Sequence, residues 1–231
     1  MNLQSAFTIL NNSRKIIIRI FLVIIVFSVL SFYFSHHILR IIHAPYNENL
    51  FCYQVTEGFF AHLKVAIFSG MALSIPYIFG EIYLRFAALM NRSKIFIVPL
   101  IIIGTSLFCL GVSFCYWYLL PPAVKFLSGY GITSLKPMIS LDRYVTLVLI
   151  LMFSLGVFFE MPLVMSILAK AGIVTRKFLV KNRRYAVLII CILAAVITPT
   201  PDIFNLALMV TPIIILYEVS IIVVILFEKK T

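Results

Sequence analysis

One carboxylate in this sequence could do chemistry, because it lies where a charge is costly. Glu160 falls within a long apolar run, residues 144–169, which predicts a membrane-spanning helix. At about 1.5 Å of rise per residue, Glu160 lies about 15 Å from the end marked by Lys170, near the middle of a hydrocarbon layer about 30 Å thick. A charge at that depth costs on the order of 3 kcal/mol on insertion scales, so such a residue faces other helices or a water-filled cavity. Glu160 is therefore the first functional candidate.

Four other acids have more ordinary positions. Glu218 lies in a second apolar run and predicts a second membrane-embedded acid; either embedded acid could also serve in packing alone, as a hydrogen-bonded group. Glu81 precedes Arg85 by one helical turn, where an i, i+4 ion pair is the simplest interpretation. Asp202 follows a Thr-Pro-Thr-Pro sequence and precedes an apolar run, a position typical of a helix N-cap. Asp142 is interpreted as a cap or surface group.

Composition identifies the class of protein. Hydrophobic residues make up 63% of the 231 positions, charged residues make up 12%, and the mean hydropathy is +1.12. Soluble domains average about 25% charged residues. Because the loops are short, the sequence predicts an all-α integral membrane protein with a single polytopic domain over residues 1–231. The apolar segment 16–34 lacks a small-residue cleavage site and is expected to be a retained first helix.

The sequence lacks the motifs of common enzymes and cofactor proteins. It contains no Walker A sequence, no nucleophile elbow and no HExxH motif, which argues against an enzyme. The four cysteines form no CxxC pair, and the four histidines, at positions 36, 37, 43 and 62, all fall in or beside one predicted loop. No metal and no cofactor are therefore expected.

Apolar runs predict six transmembrane helices. They lie near 16–35, 62–83, 96–119, 144–169, 185–198 and 204–227. The third run is expected to end at Pro121-Pro122. The fifth run spans only about 21 Å, which predicts local thinning of the bilayer or a sunken helix end. The alternative is that residues 198–202 form a buried turn.

Prolines recur inside these runs, and a proline removes one helical hydrogen bond and usually kinks the helix. The prolines in question are Pro76, Pro99, Pro162 and Pro212. Kinked helices rarely form a tight straight bundle, so the sequence predicts a curved one. Membrane helices also tolerate proline better than soluble helices do, which is the simpler interpretation.

The distribution of positive charge predicts the orientation. An even number of spans puts both termini on one side, and most lysines and arginines fall on that side, in the segments 14–19, 85–94, 170–184 and 229–230. The positive-inside rule makes this the cytoplasmic side or its organellar equivalent. The net charge of +11 is thus a topology signal that could also attract anionic lipid, and nucleic-acid binding is not expected.

Short motifs in a fixed order resemble those of one family over most of the chain. They are Phe59-Phe60 with Leu63-Lys64 and Pro76, Phe86 to Leu89 with Val98-Pro99-Leu100, Phe159-Glu160-Met161-Pro162, Ala171-Gly172-Ile173-Val174-Thr175 with Arg183-Arg184-Tyr185, Leu193 to Asp202, and Pro212 with Leu216-Tyr217-Glu218. Their order and spacing resemble TatC, the C subunit of the twin-arginine protein translocase. That family also has six helices, short last helices and a cytoplasmic N-terminus.

The resemblance implies a receptor and not an enzyme. Members of the family bind signal peptides that carry paired arginines, and they assemble with single-span TatA- and TatB-like subunits. They move folded proteins across an energised membrane, bacterial or organellar. The resemblance also implies a receptor complex with several copies of the subunit.

The sequence departs from the family at two acidic positions. The family's N-terminal glutamate position holds Asn12, while Arg14 is kept, and the family's loop glutamate position holds Ser93, followed by Lys94. Charge-assisted hydrogen bonds are about twice as strong as neutral ones, so these changes weaken arginine recognition. Either Glu81 compensates, or the client does not need both arginines. These five residues are the candidates for signal-peptide binding.

Two other functions compete with this interpretation. An ion-coupled secondary transporter would use Glu160 as its proton carrier, but such proteins usually have two related halves, and no internal repeat is apparent. A quinone-site subunit of a respiratory complex would predict histidines embedded in the helices, which the sequence lacks.

Overall fold

The computed structural model describes residues 3–44, 50–89, 97–129, 139–198 and 203–227. Within these ranges the chain is helical, apart from turns and one isolated β-bridge. The helices are α1 (Leu3–His43), α2 (Val55–Leu89), α3 (Ile97–Phe114), α4 (Leu120–Gly129), α5 (Leu141–Phe159), α6 (Met161–Lys170), α7 (Arg176–Lys181), α8 (Arg183–Ile197) and α9 (Ile203–Phe227), with π-helical Cys115–Leu119 joining α3 to α4.

Five helical segments in the described part of the chain are long and apolar enough to cross a membrane. They are Arg14–His43, Thr56–Leu84, Val98–Lys125, Leu141–Lys170 and Ile203–Ile225. These five segments confirm the predicted all-α membrane class. The remaining predicted span corresponds to α8, which has only 15 residues and is not among the five.

The helix that contains Pro121 and Pro122 does not end there, so that prediction is wrong. The chain passes from α3 through the π-helical turn, where the Leu120 amide donates to the Cys115 carbonyl, and then continues as α4. Pro121 and Pro122 are the second and third residues of α4. Amides in the first turn of a helix need no partner within it, so two prolines fit there without a break.

The fourth predicted span is interrupted at Glu160, between α5 and α6. Pro162 has no amide hydrogen, so the normal α-helical bond to the Phe158 carbonyl cannot form. The Glu160 amide donates to the carbonyl of Val157, three residues earlier, at 3.1 Å, and α6 starts at Met161.

The other three prolines differ in their positions. Pro76 and Pro212 lie inside α2 and α9, where a kink remains the prediction. Pro99 is the third residue of α3 as described, so it removes no hydrogen bond within that helix. A kink at Pro99 is not required.

Helix α5 lies at the centre of the bundle, packed against α2 and α3. Tyr144, Val148 and Leu155 of α5 are fully buried. Near the start of α5, the hydroxyl of Tyr144 donates to the carbonyl of Ile42, near the end of α1, at 2.9 Å. This bond satisfies a carbonyl at the end of α1, where no helical donor is available.

Glycines let α3 and α5 approach backbone to backbone. A Cβ on Gly111 would lie 2.8 Å from the Leu155 carbonyl oxygen and 2.9 Å from the Gly156 Cα. A Cβ on Gly156 would lie 2.5 Å from the ring of Phe108. Small residues at such contacts are a main source of helix association in membranes, since the bilayer supplies no hydrophobic force between helices.

We expect Gly111→Ala to lower the free energy of unfolding by about 1–3 kcal/mol, because the added methyl group must push α3 away from the α5 backbone. Gly58→Ala is the matched control, since a Cβ there meets nothing within 4 Å. Thermal unfolding of the purified protein in detergent measures both variants. Equal stabilities would contradict the close packing.

Candidate functional site

Glu160 is buried inside the helix bundle. Its side chain belongs to the single residue between α5 and α6, and the residue is only 4% exposed. The backbone groups of Glu160 itself are paired, since its amide donates to the Val157 carbonyl at 3.1 Å and its carbonyl accepts from the Val164 amide at 3.0 Å. The interruption at Glu160 therefore leaves no lone backbone group at that residue.

The side chain of Glu160, in contrast, has no hydrogen bond to any described residue. Both carboxylate oxygens are buried without a partner in the described part of the chain, and so is the hydroxyl of Tyr83 on α2. The two groups lie within electrostatic range of each other, and the carboxyl group also lies close to the Phe108 backbone of α3. Native proteins seldom leave buried polar atoms unpaired, so this group of atoms requires an explanation.

Tyr83 was not identified from the sequence. Tyrosine is common near the ends of membrane helices, where its ring is buried and its hydroxyl reaches water. Nothing in the sequence around Tyr83 indicates that its hydroxyl is enclosed near an acid on another helix.

The basic end of the molecule holds Glu81 and Arg14. The Tyr77 hydroxyl donates to Glu81 Oε1 at 3.1 Å, one turn away on α2. Tyr77 also lies within electrostatic range of Arg19 on α1. Glu81 therefore lies on the side of α2 that faces α1, and Arg14 is exposed five residues before Arg19.

Several predicted positions fall outside what the structure describes. Ser93, Lys94 and Asp202 lie outside the described residues. Asn12 lies in α1, but its side chain is outside the described set, as is that of Arg85, the predicted partner of Glu81.

Glu218 forms an ion pair and does not serve in apolar packing alone. Arg183, the first residue of α8, donates from both Nε and Nη2 to Glu218 Oε1 on α9. Nearby, the Tyr217 hydroxyl donates to the Leu179 carbonyl at 2.9 Å, which attaches α7 to α9. Arg183 was interpreted from the sequence only as a topology signal, because its acidic partner is 35 residues away.

A second ion pair lies at the opposite end of the bundle. Lys64 Nζ on α2 donates to both carboxylate oxygens of Asp142 at 2.7 Å and to Thr146 Oγ1 at 2.9 Å, both on α5. Asp142 is therefore neither a simple cap nor a lone surface group, which corrects the sequence interpretation. A cavity of about 920 Å³ opens beside this pair.

Known proteins are similar to this chain over nearly its whole length. The family model described as "Sec-independent protein translocase protein (TatC)" matches residues 8–212. The TatC protein of Carboxydothermus hydrogenoformans is 36% identical over 221 residues, 94% of this chain and 91% of that protein. An "uncharacterized tatC-like protein ycf43" of Gracilaria tenuistipitata var. liui is 32% identical, over 99% of this chain and 98% of that protein.

A solved structure has a similar fold. The crystal structure titled "Twin Arginine Translocase Receptor- TatC" superposes with a TM-score of 0.83 at 34% sequence identity. The match covers 95% of this chain and 99% of that one.

The ion pair of Lys64 and Asp142 predicts a specific pattern of stabilities. We expect Lys64→Met and Asp142→Asn each to lower the free energy of unfolding by about 2 kcal/mol, less than for a fully buried pair, because the two side chains are 33% and 26% exposed. The double variant Lys64→Met/Asp142→Asn should be more stable than either single variant, since it leaves no unpaired charge. Thermal unfolding in detergent tests this, and strictly additive losses would contradict it.

Proposed function

This chain belongs to the TatC family of Sec-independent protein translocase proteins, and we infer that it is the receptor subunit of a twin-arginine translocase. It is a multi-pass integral membrane protein and not an enzyme. Its partners are signal peptides and the TatA- and TatB-type subunits of the translocase. An ion-coupled transporter with Glu160 as proton carrier finds no support among its relatives.

For the topology, we propose six spans with both termini on the cytoplasmic side, where α8 is a sixth, short span. The pair of Arg183 and Glu218 supports this, because it holds the start of α8 beside the second half of α9. Helix α6 ends at Lys170, near the basic segment in which α8 starts. If α9 ends at the basic end of the bundle, where α8 starts, then α8 must first cross to the opposite end.

For signal-peptide binding, we propose a site on the cytoplasmic rim formed by α1 and α2. The proposal rests on Glu81. A pair of guanidinium groups binds best to carboxylates, and neither Asn12 nor Ser93 carries a carboxylate. The Tyr77 hydroxyl holds the Glu81 carboxylate toward α1.

In this site the remaining candidates have supporting roles. Arg14 and Lys94 add positive charge to the rim and favour contact with anionic lipid. Asn12 and Ser93 offer neutral hydrogen bonds to the arginine pair. An assembly with several copies of this chain belongs to the same proposal.

We propose that Glu160 and Tyr83 serve transport through a donor from outside this chain. Their buried oxygens have no partner among the described residues, so a polar side chain from a partner helix would satisfy them. Such a bond is favourable in the bilayer, where water is scarce.

We expect Glu81→Gln to weaken crosslinking of a twin-arginine signal peptide several-fold, because one charge-assisted hydrogen bond becomes neutral. Glu81→Asp keeps the charge and should retain more crosslinking than Glu81→Gln. Lys177→Gln is the control, since it removes an exposed charge of α7 away from the α1–α2 rim. Unchanged crosslinking in Glu81→Gln would exclude Glu81 from the site.

We expect Glu160→Gln to reduce export of a folded client while the protein level in the membrane stays normal, because the amide keeps the size of the side chain but changes its acceptors. Export assays and immunoblots of the same membranes measure the two effects. Loss of the protein band would instead assign Glu160 to packing.

A further inference from the structure

The cavity beside Lys64 and Asp142 lies where the short helix α8 ends. The last residue of α8, Ile197, forms part of its wall. The 15 residues of α8 rise about 22 Å, against about 30 Å for a full span, so the ends of α2 and α5 extend past α8.

The cavity has a polar wall and an apolar wall. The polar residues include two acids and two bases, Glu57, Asp142, Lys64 and Arg143. The apolar residues include Leu147 and Ile150 of α5 and Ile197 of α8. A ligand that fills this space must be amphipathic.

The charged groups of the cavity are not equally available. Lys64 and Asp142 are engaged with each other, and Thr146 accepts a further bond from Lys64. The Glu57 carboxylate is held in place, since its Oε2 accepts from the Tyr53 amide at 3.1 Å and the Ser140 hydroxyl at 3.3 Å.

Arg143 is the exposed cation of the cavity wall, and it forms no ion pair with any residue in the described ranges. Its guanidinium presents a planar fork of donors that suits a phosphate. A ligand would thus meet one positive group at Arg143 and one negative group at Glu57.

We propose that this cavity binds the headgroup of a zwitterionic aminophospholipid. The phosphate binds Arg143, the ammonium group faces Glu57, and the acyl chains run along Leu147, Ile150 and Ile197. An anionic headgroup fits less well, because the four charged residues of the wall sum to zero and Glu57 would repel it. A water-soluble zwitterion would leave the apolar wall unused.

The bound lipid would fill the depth that α8 does not span. The proposed topology places this bound lipid in the outer leaflet. Binding of the lipid to the cavity does not depend on the translocase function.

Native mass spectrometry of the purified full chain tests the proposal. The protein is mixed with equal amounts of phosphatidylethanolamine and phosphatidylglycerol, and bound lipid is counted after a detergent wash. We expect one retained phosphatidylethanolamine, and about a tenfold loss of its affinity in Arg143→Gln. Glu57→Gln should remove the preference for phosphatidylethanolamine over phosphatidylglycerol.

Two controls make the outcomes distinct. Lys177→Gln removes an exposed charge at the other end and should leave lipid retention unchanged. Free phosphoethanolamine should bind far more weakly than the lipid. Equal retention of both lipids by the unmodified chain, unchanged retention in a folded Arg143→Gln, or equal binding of free phosphoethanolamine would each overturn the proposal.

Discussion

Hydrogen-bonding groups inside a bilayer must find their partners within the protein, because the hydrocarbon offers none. This constraint explains most polar contacts of the chain. Tyr144 and Tyr217 donate their hydroxyls to backbone carbonyls, and Thr146 completes the bonds of Lys64. Against this background, the oxygens of Glu160 and Tyr83 are among the few buried polar atoms of the described residues without a hydrogen bond, which is why they carry a functional proposal.

The strong polar contacts lie near the two ends of the bundle, and the middle depends on shape. Lys64 joins α2 to α5 at one end, and Arg183 joins α8 to α9 near the other. Between them, Gly111 and Gly156 bring α3 and α5 into direct backbone contact. Polar bonds thus fix which helices are neighbours, and small residues set how closely they approach.

The sequence predicted the all-α membrane class, because long apolar runs are strong local signals. The depth of Glu160 followed from simple counting along one run. The sequence did not predict the partners of Lys64 and Glu218. Those pairs are separated by 78 and 35 residues, and no local pattern connects them. The end of the third span was also missed, because a proline in a first helical turn and a proline that stops a helix look alike in sequence.

The function was predictable for a different reason. The motif around Glu160 is weak by itself, but the order of several such motifs along the chain is specific to one family. Physical reasoning alone gave a membrane protein with an embedded acid. It could not have indicated a peptide receptor, because the rim around Glu81 has no feature that distinguishes a peptide site from an ordinary charged helix end.

The one-residue interruption at Glu160 divides a long apolar helical run into two arms that differ in their main neighbours. The arm α5 is tied to α2 and α3, while α6 lies closest to α9. We expect a tilt of α9 to move α6 before it moves α5. Through Leu163 and Ile167, which pack against Tyr83, the movement would also reach α2.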